Sequence, residues 1–188
     1  MKGHSSPHSA AQKDALLEKL ERRLADIGSP EQLCAELARI LGVKQHEVAL
    51  LQLQNGALRF LCPTGLRTAG SIPLSGSAVA ARTAATRTTM LSNSFAKVQH
   101  VRIFEGVRLA TSNDTQAEQP TPIQKMMSVP VFDEENSVLG VLQVSRKGDD
   151  SRSAGPDFTT DDLRLLEGAA RLTAKLPFMR TMITSGGG

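Results

Sequence analysis

The sequence of 188 residues, 20.1 kDa, is the size of one domain, and 40% hydrophobic against 22% charged residues supports a packed core rather than disorder throughout. The formal net charge of +3 is too slight to imply nucleic acid, and only 3% aromatic residues argues against a surface that stacks bases. No apolar run approaches the roughly 20 residues of a membrane span, and residues 1–15 lack the apolar core of a secretory signal. We therefore expect a cytoplasmic protein that binds neither nucleic acid nor a membrane.

Positive charge is concentrated in the middle of the chain. Between Arg59 and Arg108 the only acidic residue is Glu105, whereas lysines and arginines recur throughout this stretch. The pattern has two interpretations. The arginines are either solvated surface residues, or they form a positively charged entrance to a site for an anionic ligand or an acidic partner.

Side chains that commonly hold metals are few. Cys34 and Cys62 are the only cysteines, and the four histidines show no metal-ligand spacing. We expect two buried free thiols in a reducing compartment, no metal and no cofactor.

Two amphipathic helices are predicted near the start. The polar residues 1–12 are predicted to be a flexible tail. From Asp14, leucines recur at spacings of three and four, which predicts a helix that ends at Gly28. In Ser29-Pro30-Glu31-Gln32 we expect the N-cap and capping box of a second helix, which Gly42 ends.

A hairpin follows, with strands over Glu47–Leu53 and Leu58–Cys62 around the turn Asn55-Gly56. An Ala-rich helix is predicted over 78–85, and a short strand over 88–92.

The segment Ser75-Gly76-Ser77 precedes this Ala-rich helix. Its position suits an anion at the free backbone N–H groups, with Arg82 and Arg87 nearby; the alternative is a simple N-cap. Residues 93–122 are irregular, with a short helix predicted near Ser94–His100, and such a long connection is either functional or mobile.

The clearest β pattern is a second hairpin, over 124–132 and 137–146. Gly140 allows a close backbone approach. Gln143 is the one polar residue inside its apolar strand, so it either points into a pocket or lies on the less buried face. A last helix, capped by Thr159, is predicted to run to Leu176, where Pro177 stops it. This order of elements predicts an α+β fold with a largely antiparallel sheet.

Four stretches in this order resemble the GAF domain family, over roughly residues 14–176. They are the N-terminal helix pair with its hairpin, SIPLSGSAVAARTAATRTTMLSN (71–93), SVPVFDEENSVLGVLQVSRKG (128–148) and FTTDDLRLLEGAARLTAKL (158–176). The resemblance implies a five- or six-stranded antiparallel sheet, with the terminal helices on one face and short pocket helices and loops on the other. We expect one such domain over 13–180, followed by a flexible tail over 181–188.

The resemblance also narrows the ligand. Members that bind cyclic nucleotides carry Asn-Lys … Phe-x-x-x-Asp-Glu; here Ser145-Arg146 and Leu163 depart from that signature, whereas Phe158 and Asp162 fit. Bilin binding needs a pocket-side cysteine, and residues 75–122 contain none. The free methionine sulfoxide reductases of this fold need several pocket cysteines, so the resemblance implies no catalytic residues here.

The predicted ligand-binding residues come from three places. One is the helix start already described, and one is Gln143. The third is the irregular segment that family members use as a pocket wall, although its phenylalanines also fit core positions. The complete predicted set is Ser75, Gly76, Ser77, Phe95, His100, Arg102, Phe104 and Gln143.

Family members often dimerise through a helical bundle, and the terminal helices here carry apolar stripes at helical spacing. We expect a homodimer. The alternative is that both apolar stripes are already buried by packing within the monomer. The predicted interface is Leu17, Leu20, Leu24, Leu165, Ala169, Leu172 and Leu176.

The leading hypothesis is a GAF-like sensory or regulatory domain. It would bind a small cytoplasmic ligand, for which an anion fits the basic middle of the chain, and signal through a helical dimer interface. A chain of this length leaves no room for an attached output domain, so the signal would pass to a separate protein or within a longer parent. The alternative is a ligand-free structural dimerisation module; a small enzyme lacks a recognisable nucleophile–base pair.

Overall fold

The computed structural model describes residues 10–97 and 121–180. Their helices are α1 (Ala10–Leu24), α2 (Pro30–Leu41), α3 (Val79–Thr86), α4 (Thr160–Thr173) and α5 (Pro177–Arg180). Of the tails predicted over 1–12 and 181–188, residues 1–9 and 181–188 lie outside the described residues, whereas residues 10–12 belong to α1. Within the described ranges, no helix has both the length and the apolar character needed to cross a membrane.

Six strands form one sheet. They are β1 (Val48–Gln54), β2 (Ala57–Cys62), β3 (Ser71–Pro73), β4 (Met90–Ser92), β5 (Ile123–Phe132) and β6 (Val138–Lys147). Their order across the sheet is β3-β2-β1-β6-β5-β4, and every pairing is antiparallel. The predicted α+β fold with a five- or six-stranded antiparallel sheet is confirmed, and the described sheet has six strands.

Local chemistry explains how the strands meet. Asn55 and Gly56 have φ angles of 50° and 75°, which are the positive values that a tight hairpin turn between β1 and β2 requires. In β6, a Cβ on Gly140 would lie only 2.0 Å from the carbonyl oxygen of Leu51 in β1. Glycine is therefore required where these two central strands approach, as the sequence predicted.

The first and last helices cover one face of the sheet. Apolar side chains from α1, α2, α4 and α5 pack with those of the central strands in one buried cluster. Leu17 of α1 also packs against Gly168 of α4, where an added Cβ would lie 2.5 Å from Leu17 Cδ1. The predicted placement of the terminal helices on a common face is thus observed.

Helix α3 covers the other face. Ala80 and Ala84 of α3 lie over Leu51, Phe60 and Val141, all of them buried. A neighbouring buried cluster, nearer to β4, is formed by Val79, Phe95, Ile123 and Met126. The small side chains of α3 let this helix lie close to the sheet, which leaves its larger polar residues at the rim.

The helix caps agree with the sequence in most details. The Ser29 hydroxyl accepts a hydrogen bond from Gln32 N at 3.2 Å, and Gly42 ends α2 in the left-handed conformation. The Gln32 side chain accepts from Gly28 N at 2.9 Å instead of completing a box with Ser29. Thr159 and Asp162 form a capping box at the start of α4.

Some helix boundaries differ from the prediction. Helix α1 already begins at Ala10, because Ala10 and Ala11 are good helix formers, and it ends at Leu24 instead of Gly28. Helix α4 ends at Thr173, before the predicted Leu176. Pro177 does not stop a helix; it occupies the first position of α5, where its missing N–H costs no hydrogen bond.

Candidate ligand-binding site

A cleft of about 220 Å³ opens between α3 and β4 on the face away from the terminal helices. We call it the α3–β4 cleft. Among the described residues, its lining combines one arginine, four threonines and two apolar side chains, with no acidic residue. These residues are Val79, Arg82, Thr83, Thr86, Thr88, Thr89 and Met90.

The guanidinium of Arg82 gives the cleft its charge. Arg82 is exposed, and it forms no ion pair within the part of the chain that the structure describes. Since no lining carboxylate compensates it, the local potential favours an anion.

Two of the four threonines, Thr86 and Thr88, already donate their hydroxyl protons to other groups of the protein. Thr86 donates to the carbonyl oxygen of Arg82 at 2.7 Å. Its hydroxyl also lies 2.7 Å from that of Thr88, so Thr88 must be the donor in that pair. This leaves Thr83 and Thr89 as the hydroxyls able to donate to a bound molecule.

Behind Thr83 lies a buried polar cluster. The Thr83 and Ser128 hydroxyls are 2.8 Å apart, and Gln143 Nε2 donates to Ser128 Oγ at 3.1 Å. Gln143 Nε2 also lies 3.9 Å from the sulfur of Met126. Gln143 Oε1 is buried and has no partner among the described residues, a cost of about 1–3 kcal/mol.

Two other clefts lie elsewhere. One of about 390 Å³ lies among the ends of the hairpins and α5, and there Arg180 Nη2 is 3.9 Å from Glu134 Oε1. The other, of about 280 Å³, lies between α1 and α4, where Arg164 Nη1 is 3.7 Å from Asp161 Oδ1. In both, these basic groups already face carboxylates, so neither offers the uncompensated charge of the α3–β4 cleft.

The predicted anion segment does not line this cleft. Ser75 and Ser77 are exposed, and Gly76 N donates to the carbonyl oxygen of Pro73 at 2.9 Å in a turn. The N-cap of α3 is Ala78, so neither serine side chain caps the helix. These three residues are therefore not part of the cleft lining.

The remaining predicted positions fall into three groups. Gln143 is 2% exposed and lies on the α3 face, so it is not on a less buried face. Phe95 is 4% exposed and packs with Val79 and Met126 as a core residue. His100, Arg102 and Phe104 lie outside the described residues. Of the predicted ligand-site residues that the structure describes, none is among those that line the cleft.

The predicted dimer residues are mostly internal. Five of them, Leu20, Leu24, Leu165, Ala169 and Leu176, are buried within the single chain. The structure therefore corrects that list, because the α1–α4 contact and the core have already covered these side chains. Leu17 and Leu172 are half-buried, while Leu16, which the sequence analysis did not select, is 39% exposed.

Both cysteines lie on the opposite face from the cleft. Cys34 in α2 and Cys62 in β2 are free, buried thiols of the helix-covered core. The hydrogen bond with Cys62, together with burial, raises the pKa of the Cys34 thiol far above its usual value. Among residues 10–97 and 121–180, no group of His, Cys, Asp and Glu side chains is arranged to hold a metal ion.

The positions that depart from the cyclic-nucleotide signature have structural roles. Arg146 donates to the carbonyl oxygens of Gly42 at 3.0 Å and Leu41 at 3.1 Å, which satisfies the end of α2. Its guanidinium lies 4.8 Å from the centre of the Phe158 ring. Ser145 donates to the carbonyl oxygen of Glu47 at 3.3 Å. These side chains stabilise the fold away from the α3–β4 cleft.

Comparison with known proteins identifies the fold. The profile of the GAF domain family matches residues 31–175. The GAF domain of the Acinetobacter phosphoenolpyruvate-protein phosphotransferase has a TM-score of 0.63 at 14% identity, covering 88% of this chain and 92% of that one. The corresponding GAF domain from Coxiella burnetii has a TM-score of 0.61 at 12% identity, covering 92% and 97%. No curated protein sequence matches significantly.

A third structure shows that this fold also hosts catalysis. The free methionine-R-sulfoxide reductase of Neisseria meningitidis, solved with its substrate, has a TM-score of 0.55 at 17% identity and covers 93% of each chain. At such identities the likeness shows a shared fold and not a shared activity. Since the family profile spans most of the sequence and the six-stranded sheet superposes on known GAF structures, the chain belongs to the GAF domain family, whose fold serves sensory and regulatory domains in general.

Proposed function

We propose that this GAF domain is a sensory module that binds a small anionic molecule in the α3–β4 cleft. The observation that carries the proposal is the exposed Arg82 guanidinium, which lines a cleft whose described residues include no acidic side chain. A guanidinium with free donors suits a carboxylate or phosphate group, and the hydroxyls of Thr83 and Thr89 add donors beside it.

The size of the cleft limits the ligand. Its volume of about 220 Å³ is below the roughly 300–1,000 Å³ typical of sites for drug-sized molecules. We therefore propose an anion of the size of a small metabolite.

Binding without catalysis fits the chemistry of the cleft. In residues 10–97 and 121–180, no histidine, cysteine, carboxylate or lysine lines the cleft to act as a nucleophile or general base. The only two cysteines of the sequence are buried on the other face of the sheet. Thiol chemistry at the cleft would therefore need a cysteine that the chain does not have there.

Signalling would use the connection from the cleft to the terminal helices. Met90 lines the cleft and begins β4, and Asn93 directly after β4 binds the backbone that leads into α4. The proposal also includes a homodimer formed through α1 and α4. A separate signalling protein would bind this dimer and respond to the arrangement of its helices. The ligand would shift the equilibrium between two arrangements of these helices only to the extent that it binds one arrangement more tightly than the other.

A ligand-free dimerisation module is the second candidate. It is favoured by the centre of the α3 face, where Ala80 and Ala84 lie directly over buried strand side chains. That part of the face is filled by the protein itself. On this reading the α3–β4 cleft is only a surface depression.

Thermal unfolding and titration calorimetry separate the two candidates. The probes are pyruvate, succinate, inorganic phosphate and AMP, with propionamide as an uncharged control. We expect at least one anion to raise the unfolding midpoint of the wild type, because ligand binding to the folded state adds stability. Arg82→Gln should abolish the shift, and Arg152→Gln, at an exposed loop arginine, should keep it. If no anion binds the wild type at millimolar concentration, the ligand-free module is correct.

A further inference from the structure

The buried Gln143 amide suggests how the α3–β4 cleft selects its ligand. This inference rests on the proposed function. We propose that Gln143 fixes the Thr83 hydroxyl as a hydrogen-bond donor toward the α3–β4 cleft, so that Arg82 and Thr83 together select a ligand oxyanion. Gln143 is a positioning residue here, since it acts through Ser128 and does not line the cleft. The ligand chemistry is a carboxylate or phosphate oxygen, never an ammonium group.

The first step is the orientation of the amide. Gln143 Nε2 has two hydrogens and two neighbours that accept them, Ser128 Oγ at 3.1 Å and Met126 Sδ at 3.9 Å. A thioether sulfur has no hydrogen to donate, so the amide nitrogen, and not the oxygen, belongs on this side. Ser128 and Gln143 are also direct partners in the β5–β6 register, which keeps the two side chains together.

The second step counts the hydroxyl protons. Each hydroxyl has one proton. Ser128 accepts from Gln143, so the Ser128 proton is available for Thr83, whose oxygen is 2.8 Å away. If Thr83 donated instead, Ser128 would accept twice and its own proton would stay buried without a partner. The favoured order is therefore Gln143 to Ser128 to Thr83, with each group donating to the next.

The third step asks where the Thr83 proton goes. Elsewhere on the helices, Thr86 donates to the carbonyl oxygen of Arg82 and Thr173 to that of Ala169, each four residues back and each at 2.7 Å. No such bond forms from Thr83 to the carbonyl of Val79 within the described structure. Thr83 lines the cleft, so its proton is directed there.

The consequence is a site of uniform polarity. The Arg82 guanidinium can only donate, and the chain of hydrogen bonds makes Thr83 a donor as well. Such a pair matches the lone pairs of an oxyanion, whereas a ligand ammonium group would be repelled by the Arg82 charge. This orientation of the amide leaves the buried Gln143 Oε1 without a hydrogen-bond partner among the described residues, which costs stability.

The decisive variant is Gln143→Glu. An ionised glutamate can only accept, so Ser128 must donate to it, Thr83 must donate to Ser128, and the cleft loses a donor. A protonated glutamate donates as the amide does. We expect pyruvate or phosphate affinity to match wild type at low pH and to fall at least about tenfold as the glutamate ionises, the equivalent of one hydrogen bond to a charged group. Each affinity is compared with that of the wild type at the same pH, so that ionisation of the ligand itself cancels.

A second pair of variants covers the case in which Gln143→Glu does not fold. Thr83→Val should lower oxyanion affinity by a similar factor, and Thr83→Ser should restore it. Thr173→Val, the same change at a buried threonine on the other face, serves as the control and should leave affinity unchanged. Denaturant unfolding of each variant verifies that the fold is intact. Comparing pyruvate with inorganic phosphate tells a carboxylate site from a phosphate site.

The outcomes separate this inference from the proposed function. If the wild type binds an oxyanion through Arg82 but Thr83→Val binds equally well, the inference is wrong and the sensory function stands. If folded Gln143→Glu binds with the wild-type pH profile, the polarity argument is likewise overturned. Failure of every oxyanion to bind the wild type would instead remove the proposed function itself.

Discussion

The side chain of Asn93 binds the backbone of Phe158 as a neighbouring strand would. Asn93 Nδ2 donates to the Phe158 carbonyl oxygen at 2.9 Å, and Phe158 N donates to Asn93 Oδ1 at 2.8 Å. Asn93 follows β4, and Phe158 precedes the N-cap of α4. This pair therefore joins the edge of the sheet beside the α3–β4 cleft to the start of a terminal helix.

Replacing Asn93 should loosen that connection. In Asn93→Ala both backbone groups of Phe158 lose their partners, and we expect a loss of about 1–3 kcal/mol in the free energy of unfolding. Denaturant unfolding measures the change, and Ser94→Ala at the exposed neighbouring position should have little effect. An Asn93→Ala protein as stable as the wild type would show that water replaces the side chain without cost.

Gly140 gives a sharper test of the sheet. A Cβ there would lie 2.0 Å from Leu51 O, and both are in the central strands β1 and β6, where neither backbone can move freely. We expect Gly140→Ala to destabilise the domain by more than about 3 kcal/mol or to prevent folding. The matched control is Gly65→Ala, where an added Cβ meets no atom within 4 Å. Circular dichroism during thermal unfolding compares the two, and equal midpoints would contradict the packing described.

Local sequence signals predicted the fold well. The Asn55-Gly56 turn, the Ser29 and Thr159 caps and the glycine in β6 each encode geometry through a few adjacent residues. The ends of helices were less predictable, because the last turns of α1 and α4 tighten before Gly28 and Pro177. Ile27 N donates to the carbonyl oxygen of Leu24, and Leu176 N to that of Thr173, each three residues back. Pro177 illustrates the difficulty, since the same residue can stop a helix or begin one.

The candidate site was less accessible to sequence reasoning. The four threonines of the α3–β4 cleft all lie within residues 83–89, but their spacing matches no binding motif. The contact between Thr83 and Ser128 spans 45 positions and depends on how α3 lies on the sheet. Gln143 was the one usable signal, because a polar residue within an apolar strand must find a partner when it is buried.

The dimer residues were misplaced for a related reason. A helical stripe shows which side chains are apolar, but not whether another part of the same chain already covers them. Leu20 and Ala169 are fully buried within one chain. Only the packed structure shows that Leu16 is left on the outside.

The free energy of unfolding at acidic pH should depend on the ionisation of Glu36. The hydrogen bond from Arg39, at 2.6 Å, with the charges of Arg39 and Arg23, lowers the pKa of the Glu36 carboxyl in the folded state. Because the folded pKa is lower than the unfolded one, the stabilisation is present above about pH 4.5 and is lost as pH falls through the folded value. Glu36→Gln should cost about 1 kcal/mol or less at pH 7. Urea unfolding should show this difference between the two proteins vanish in acid; a constant difference would assign it to packing instead.

The exposed Leu16 provides the test of a homodimer through the terminal helices. Leu16 is 39% exposed on α1, beside the half-buried Leu17 that contacts α4, so a partner helix would remove both from water. We expect multi-angle light scattering to give a dimer mass for the wild type and a monomer mass for Leu16→Glu at the same concentration. Leu16→Glu should unfold at the same denaturant concentration as a dilute, monomeric wild type, since the side chain is outside the core. Arg22→Gln, which also lowers the net charge by one at another exposed position of α1, is the control for charge. A wild type that is monomeric at all concentrations would leave α1 and α4 as purely internal packing elements, and any signal would then have to reach its partner by another surface.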